Sequence, residues 1–210
     1  MAWRNAKILL VIFICVVSSL FALYSCFPEM SPEEQAKLKF PRSIPELRDL
    51  SQVVLKYKDD HFFLVLAFYC MCYISLGSFA IPGSIFLSIL AGPLFGLWLG
   101  LIIVSVVATT ASSLCYLLSK TLAGVIVKRK FPTLIKAFDE KLAAHRDHLF
   151  YYLLFLRISP ILPNWFISLS SPLLNIPLTT FASATFVGLM PGNYIHITTG
   201  LTLNTMTSVS

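Results

Sequence analysis

The sequence predicts an all-α polytopic membrane protein: an N-terminal anchor span, then two inverted-repeat halves, each with a re-entrant hairpin and a transmembrane helix. Three observations predict it. The 210 residues are 57% hydrophobic and only 12% charged, with a mean hydropathy of +0.79, whereas soluble domains are roughly 25% charged. Runs without Asp, Glu, Lys or Arg extend from Ile8 to Pro28 and from His61 to Ser119, and a span needs about 20 such residues. Two apolar stretches, at about 81–96 and 155–177, are broken by proline, glycine and asparagine. Backbone broken at membrane depth persists only where protein buries it or water reaches it.

Residues 1–27 carry Arg4 and Lys7 and then run apolar to Phe27. Ala22 and Ser25 would suit a signal-peptide cleavage site, but the apolar core exceeds the roughly 7–15 residues of a signal sequence. The segment reads as an uncleaved anchor span. Residues 28–60 form a polar, surface-helix segment. Ser31-Pro32-Glu33-Glu34 reads as an N-cap with acids in the first turn, and Ser43-Ile44-Pro45-Glu46 as a capping box. Leu47, Leu50, Val54 and Tyr57 share one face of the helix that follows. That face suits a bilayer surface or the protein's own flank equally.

Residues 61–210 make the membrane domain. A span over 61–80 leads to Pro82 and Gly83, which open the first hairpin. Gly92, Gly96 and Gly100 are spaced by four, which lets another helix approach closely, and Pro93 breaks the backbone ladder among them. Residues 97–118 give a full span. The loop 119–149 holds the basic triplet Lys128-Arg129-Lys130 and an amphipathic helix at about 133–149. Its stripe of Ile135, Phe138, Leu142 and Leu149 is expected to lie at the membrane interface.

The second hairpin, FLRISPILPNWFISLSSPLLNIP, contains Arg157, Pro160, Pro163, Asn164, Pro172, Asn175 and Pro177. Arginine at mid-bilayer costs about 2.5–3.5 kcal/mol on insertion scales, so function is expected here. Arg157 would offer a bidentate fork to phosphate, or else cap loose carbonyls or snorkel to the interface. Asn164 would either bind a headgroup or satisfy backbone opened by Pro163. Ser159, Ser168, Ser170 and Ser171 would add weaker contacts. A last span, Phe181 to Ile197, is interrupted at Gly188, Pro191 and Gly192 and carries Asn193 and His196. The histidine is read as a packing residue or a proton relay.

The two broken stretches resemble each other: Pro82-Gly83-Ser84-Ile85-Phe86 then Pro93, against Pro163-Asn164-Trp165-Phe166-Ile167 then Pro172. Paired interrupted segments in matching halves point to a transporter-like site near the midplane. Orientation stays open. Lys and Arg in 28–60 and 119–149 place both loops in the cytosol, while Arg4 and Lys7 place the N-terminus there too.

The net charge of +6 is juxtamembrane and signals topology or anionic lipid, so no nucleic-acid partner is expected. The five cysteines make neither a disulfide framework nor a metal site, and no metal or cofactor is expected. No membrane aspartate pair, nucleophile motif, HExxH or phosphate-binding loop occurs. The chain therefore does not read as an enzyme.

FAIPGSIFLSILAGPLFG and the FLRxxPxxPNWF string resemble the paired signature segments of the DedA/VTT-domain superfamily, also called SNARE-associated Golgi proteins. The resemblance runs from about residue 35 to the end. It implies a multi-span protein of the endoplasmic reticulum or early secretory pathway with two opposed re-entrant loops. Members are implicated in moving phospholipid between leaflets, in autophagosome and lipoprotein biogenesis, and, in bacteria, in proton-linked transport of lipid carriers. Phospholipids, the membrane and trafficking or autophagy proteins are the partners this implies. Its motif falls on Arg157, Pro160, Pro163 and Asn164, and on Pro82, Gly83 and Gly92. Two departures stand out. No Asp or Glu occurs from His61 to Phe138, against a proton-driven pump. Relatives usually carry one more C-terminal span and a basic tail, so a chain ending at Ser210 reads as a short isoform or an incomplete copy.

Overall fold

The computed structural model describes residues 2–28, 31–37, 44–123, 129–143, 148–159 and 162–208. Ten α-helices are seen among them. The anchor α1 spans Ala2–Ser25, and the polar segment holds α2 (Pro32–Lys37) and α3 (Ile44–Lys58). The first half consists of α4 (Phe62–Ser78), α5 (Ser84–Phe95) and α6 (Leu97–Leu118), the last running on as a π turn through Ala123. After α7 (Pro132–Ala143), the second half repeats the order: α8 (Leu149–Ile158), the short α9 (Asn164–Ser170) with a 3₁₀ turn Ser171–Leu174, and α10 (Leu178–Ser208). Among the described residues, Lys7–Ser25 and Leu97–Leu122 are long and apolar enough to cross a membrane. Phe62–Ser78, Ser84–Phe95 and Leu149–Ile158 are shorter apolar helices.

Local chemistry sets the ends. Ser31 Oγ accepts from the Glu34 amide while the Glu34 carboxylate accepts from the Ser31 amide, a reciprocal capping box. The sequence reads Ser31 as an N-cap; Ser43, where it places a capping box, lies outside the described residues. In each half a left-handed residue turns the short helix into the long one, Gly96 at φ 74° and Asn175 at φ 57°. Glycine and asparagine are the residues that occupy this region at least cost.

Proline interrupts less than the sequence suggests. Pro93 lies inside α5, which continues to Phe95, and Pro191 lies inside a single α10 rather than splitting the last span. Gly200 of α10 packs its backbone against the Ile89 carbonyl, which Pro93 leaves without its helical donor. The glycines spaced by four do not form one stripe either. Gly92 packs against Ile197 and Leu201 of α10, Gly96 makes the turn with open space around it, and Gly100 faces Ala91 of α5.

The core has two parts. One gathers Val65, Tyr69, Leu90, Ala91, Leu94, Val104 and Ile197, the other Phe138, Leu142, Leu153, Phe166, Ile167 and Phe181. The apolar face of α7 belongs to the second core. Phe138 and Leu142 are buried and Ile135 packs beside them, so this face meets protein rather than the membrane interface. Leu149, the last residue of the expected stripe, starts α8 instead. The face of α3 likewise packs on the first core through Leu50, Val54 and Tyr57.

Candidate functional site: a cavity between the halves

The long helices α6 and α10 run antiparallel: Tyr116 stacks on Phe181, and further along Ser105 meets Asn193. Each short helix packs on the long helix of the other half, α5 on α10 and α9 on α6. Between the halves lies a cavity of about 450 Å³. Its wall takes Ser84 and Ser88 from the start of α5, Asn164 and Ser168 from α9, Arg157 from α8, and Asn193 and His196 from α10.

Arg157 is 5% exposed. Its guanidinium donates to the Asn164 carbonyl and Oδ1, each at 3.2 Å, and to Ser168 Oγ at 3.1 Å. It also sits over the Phe181 ring at 5.0 Å. Desolvating a guanidinium is expensive, and charge-assisted hydrogen bonds with a ring face offset that cost. The observed geometry is thus the carbonyl-capping alternative: Arg157 clips the end of α8 to the first turn of α9. Gly188 makes room for it, since a Cβ there would lie 2.7 Å from Arg157 Cβ.

Asn164 is exposed at the start of α9, with its side-chain oxygen turned to Arg157. Asn193 is buried and donates to Ser105 Oγ at 3.4 Å. His196 Nδ1 is buried without a hydrogen-bond partner. Pro163 caps α9, and Gly83 caps α5 at φ 126°. Pro82, Gly83 and Pro163 shape the entrances of the short helices without lining the cavity, and Gly92 lies at the α5–α10 contact. Pro160 lies outside the described residues. Sequence reasoning passed over Tyr73, Ser84, Ser88 and Ser105. Tyr73 and Ser88 share a hydrogen bond of 3.0 Å at the cavity wall, and only their place in an apolar run marked them. Among the described residues no cluster of His, Cys, Asp or Glu has the makings of a metal site.

Helices long and apolar enough to cross a membrane, shorter apolar helices packed beside them and a partly polar cavity between are the make-up of an integral membrane protein. The chain belongs to the VTT-domain family: the model described as VTT domain matches residues 81–202. It is 40% identical over 203 residues to a Caenorhabditis elegans transmembrane protein 41 homolog, covering 97% of this chain and 82% of that protein. It is 42% identical over 207 residues to transmembrane protein 41B of Xenopus laevis, covering 99% and 74%, and 40% identical to the Homo sapiens 41B, covering 99% and 71%. No solved structure matches the chain.

Proposed function

We propose that this protein is a scramblase, passing phospholipids between leaflets of a secretory-pathway membrane without an imposed gradient and without covalent chemistry. The observation that carries the reading is the cavity shared by the two halves. It gathers Arg157, Asn164, Ser168, Asn193 and His196 with Ser84 and Ser88 in an otherwise apolar bundle. A headgroup crossing hydrocarbon needs polar partners along its way, while its acyl tails stay in lipid. The short helices α5 and α9 act in this reading as two inverted, re-entrant elements whose starts face the same space. Arg157 holds the α9 entrance in shape, and the exposed Asn164 meets the headgroup.

A second reading, a secondary transporter of a lipid carrier, draws on His196, whose Nδ1 has no hydrogen-bond partner at the cavity wall. A scaffold that recruits trafficking or autophagy partners through its amphipathic helices is less favoured, because the apolar faces of α3 and α7 are already packed on protein. Reconstitution separates them. In liposomes carrying fluorescent phospholipid, an impermeant quencher reaches only the outer leaflet. Scrambling drives quenching from about half toward completion with no gradient, a transporter requires a pH or ion difference, and a scaffold leaves the inner leaflet protected.

A further inference from the structure

A second cavity, of about 300 Å³, lies on the other side of α4 and shares no lining residue with the first. The helix turns Cys72 and Leu76 toward this one and Tyr73 and Gly77 toward the other. Leu20 and Tyr24 of α1, Val54 and Tyr57 of α3, Cys72 of α4 and Leu90 of α5 line it. It offers water almost nothing. The Tyr69 hydroxyl is bonded to the Leu87 carbonyl, that of Ser75 to the Met71 carbonyl, and that of Tyr57 to Glu34. An apolar cavity of about 150 Å³ takes up hydrocarbon, and this one, at about 300 Å³, has room for more of it. One of its walls is α1, whose apolar length is unburied within the protein.

One end of the slot is polar. Tyr57 lines the cavity, and its hydroxyl meets the Glu34 carboxylate at 2.9 Å; Lys56 pairs with the same carboxylate. The Lys56 side chain remains 65% exposed. An apolar slot with a positive and a negative group one hydrogen bond beyond its Tyr57 wall matches an amphiphile that has an acyl chain and a zwitterionic head. From this geometry we infer that the slot between α1, α3, α4 and α5 holds one acyl chain of a resident zwitterionic phospholipid. The phosphate faces Lys56 and the ammonium faces Glu34. The bound lipid fills the gap between the anchor and the membrane domain. This site is independent of the lipid path proposed above.

The test uses the full chain in vesicles containing phosphatidylcholine with a diazirine on one acyl chain, with labelled peptides mapped by mass spectrometry after irradiation. Labelling is expected at Tyr24 and Cys72 above the level on outward α1 residues such as Leu10 and Val17. Filling the slot with Cys72→Trp should lower the label on Tyr24 about tenfold, because the indole takes the volume an acyl chain would occupy. Val54→Trp, which fills it from the α3 side, should do the same and covers the case in which Cys72→Trp fails to fold. Diazirine probes of a free fatty acid and of a sterol serve as competing arms. Slot labelling unchanged in both filled variants, no excess over Leu10 and Val17, or labelling by the sterol or the free acid in preference to phosphatidylcholine would each overturn the inference.

Discussion

The two halves solve the same problem with different chemistry. Each runs from an apolar helix through a proline turn to a short helix, then past a left-handed residue into a long one. In the first half the ties between the leading and short helices are neutral: Tyr69 to the Leu87 carbonyl and Tyr73 to Ser88. In the second half the tie is the Arg157 guanidinium. Loose carbonyls are closed by the opposite half in both cases, again differently. Pro93 frees the Ile89 carbonyl, and Gly200 of α10 packs directly against it. Tyr116 and Ser119, at the end of α6, donate to the carbonyls of Ile176 and Leu169 at 2.7 and 2.6 Å. Close backbone packing rigidifies the first half, while a charge and hydroxyls hold the second. The polar character of the cavity therefore leans toward α8 and α9.

The largest effect should come from the packed side. A Cβ on Gly200 would land on the Ile89 carbonyl oxygen, and one on Gly92 on the Ile197 carbonyl. Neither obstacle is a flexible side chain. Gly200→Ala and Gly92→Ala should each destabilise by about 3 kcal/mol or more, read as lost monodisperse protein or a lowered melting temperature in detergent. Gly192→Ala is the control. Nothing lies within 4 Å of its Cβ, so its melting temperature should stay within the equivalent of about 0.5 kcal/mol of the parent.

Next in size is the charged tie. Arg157→Ala removes three hydrogen bonds and a ring contact, and should cost about 3 kcal/mol. Arg157→Lys should recover little of that, because an ammonium cannot reproduce the planar fork. Tyr73→Phe, the neutral counterpart, should cost about 1 kcal/mol. Equal losses for Arg157→Ala and Tyr73→Phe would erase the distinction drawn between the halves. In liposomes, Arg157→Ala should also slow lipid exchange more than Arg129→Ala, whose side chain is exposed outside the cavity. Equal slowing would remove the reason for placing the path beside α9.

The smallest effect is expected outside both halves. The hydrogen bond from Lys56, with that from the Ser31 amide, holds the Glu34 carboxyl down at about 2 from its usual 4.5. A lowered folded-state value means the contribution is present above the ordinary carboxylate range and is lost as pH falls through about 2. The melting temperature should therefore drop slightly more on acidification for the parent than for Glu34→Gln. A parallel drop in both would show that the charge on Glu34 contributes nothing.

The all-helical, membrane-type character was legible because uncharged runs of span length are rare outside a membrane, and the N-cap at Ser31 because its chemistry is local. Proline was the less reliable guide. Pro93 and Pro191 look like breaks in one dimension, yet both lie inside continuous helices, and Gly200 carried no signal until Ile89 was seen against it. The amphipathic stripe on α7 misled in a related way, since periodicity shows that a face is apolar without showing what covers it; on α3 the same pattern left protein and bilayer both open, and protein covers it. Arg157, Asn164, Asn193 and His196 were legible as polar residues out of place in an apolar run. Tyr73, Ser88 and Ser105 were not, because hydroxyls in membrane helices usually bond their own backbone, as Thr109 and Thr110 do here.

The central claim is that lipid headgroups cross through the cavity between the halves. Ser84→Trp would plug that cavity from the start of α5, and the quenching assay on this variant in liposomes tests the claim most directly. The account predicts that quenching stops near the outer-leaflet half for Ser84→Trp while the parent chain goes to completion, with melting temperatures of the two comparable. Complete quenching at the parent rate by a folded Ser84→Trp protein would contradict it.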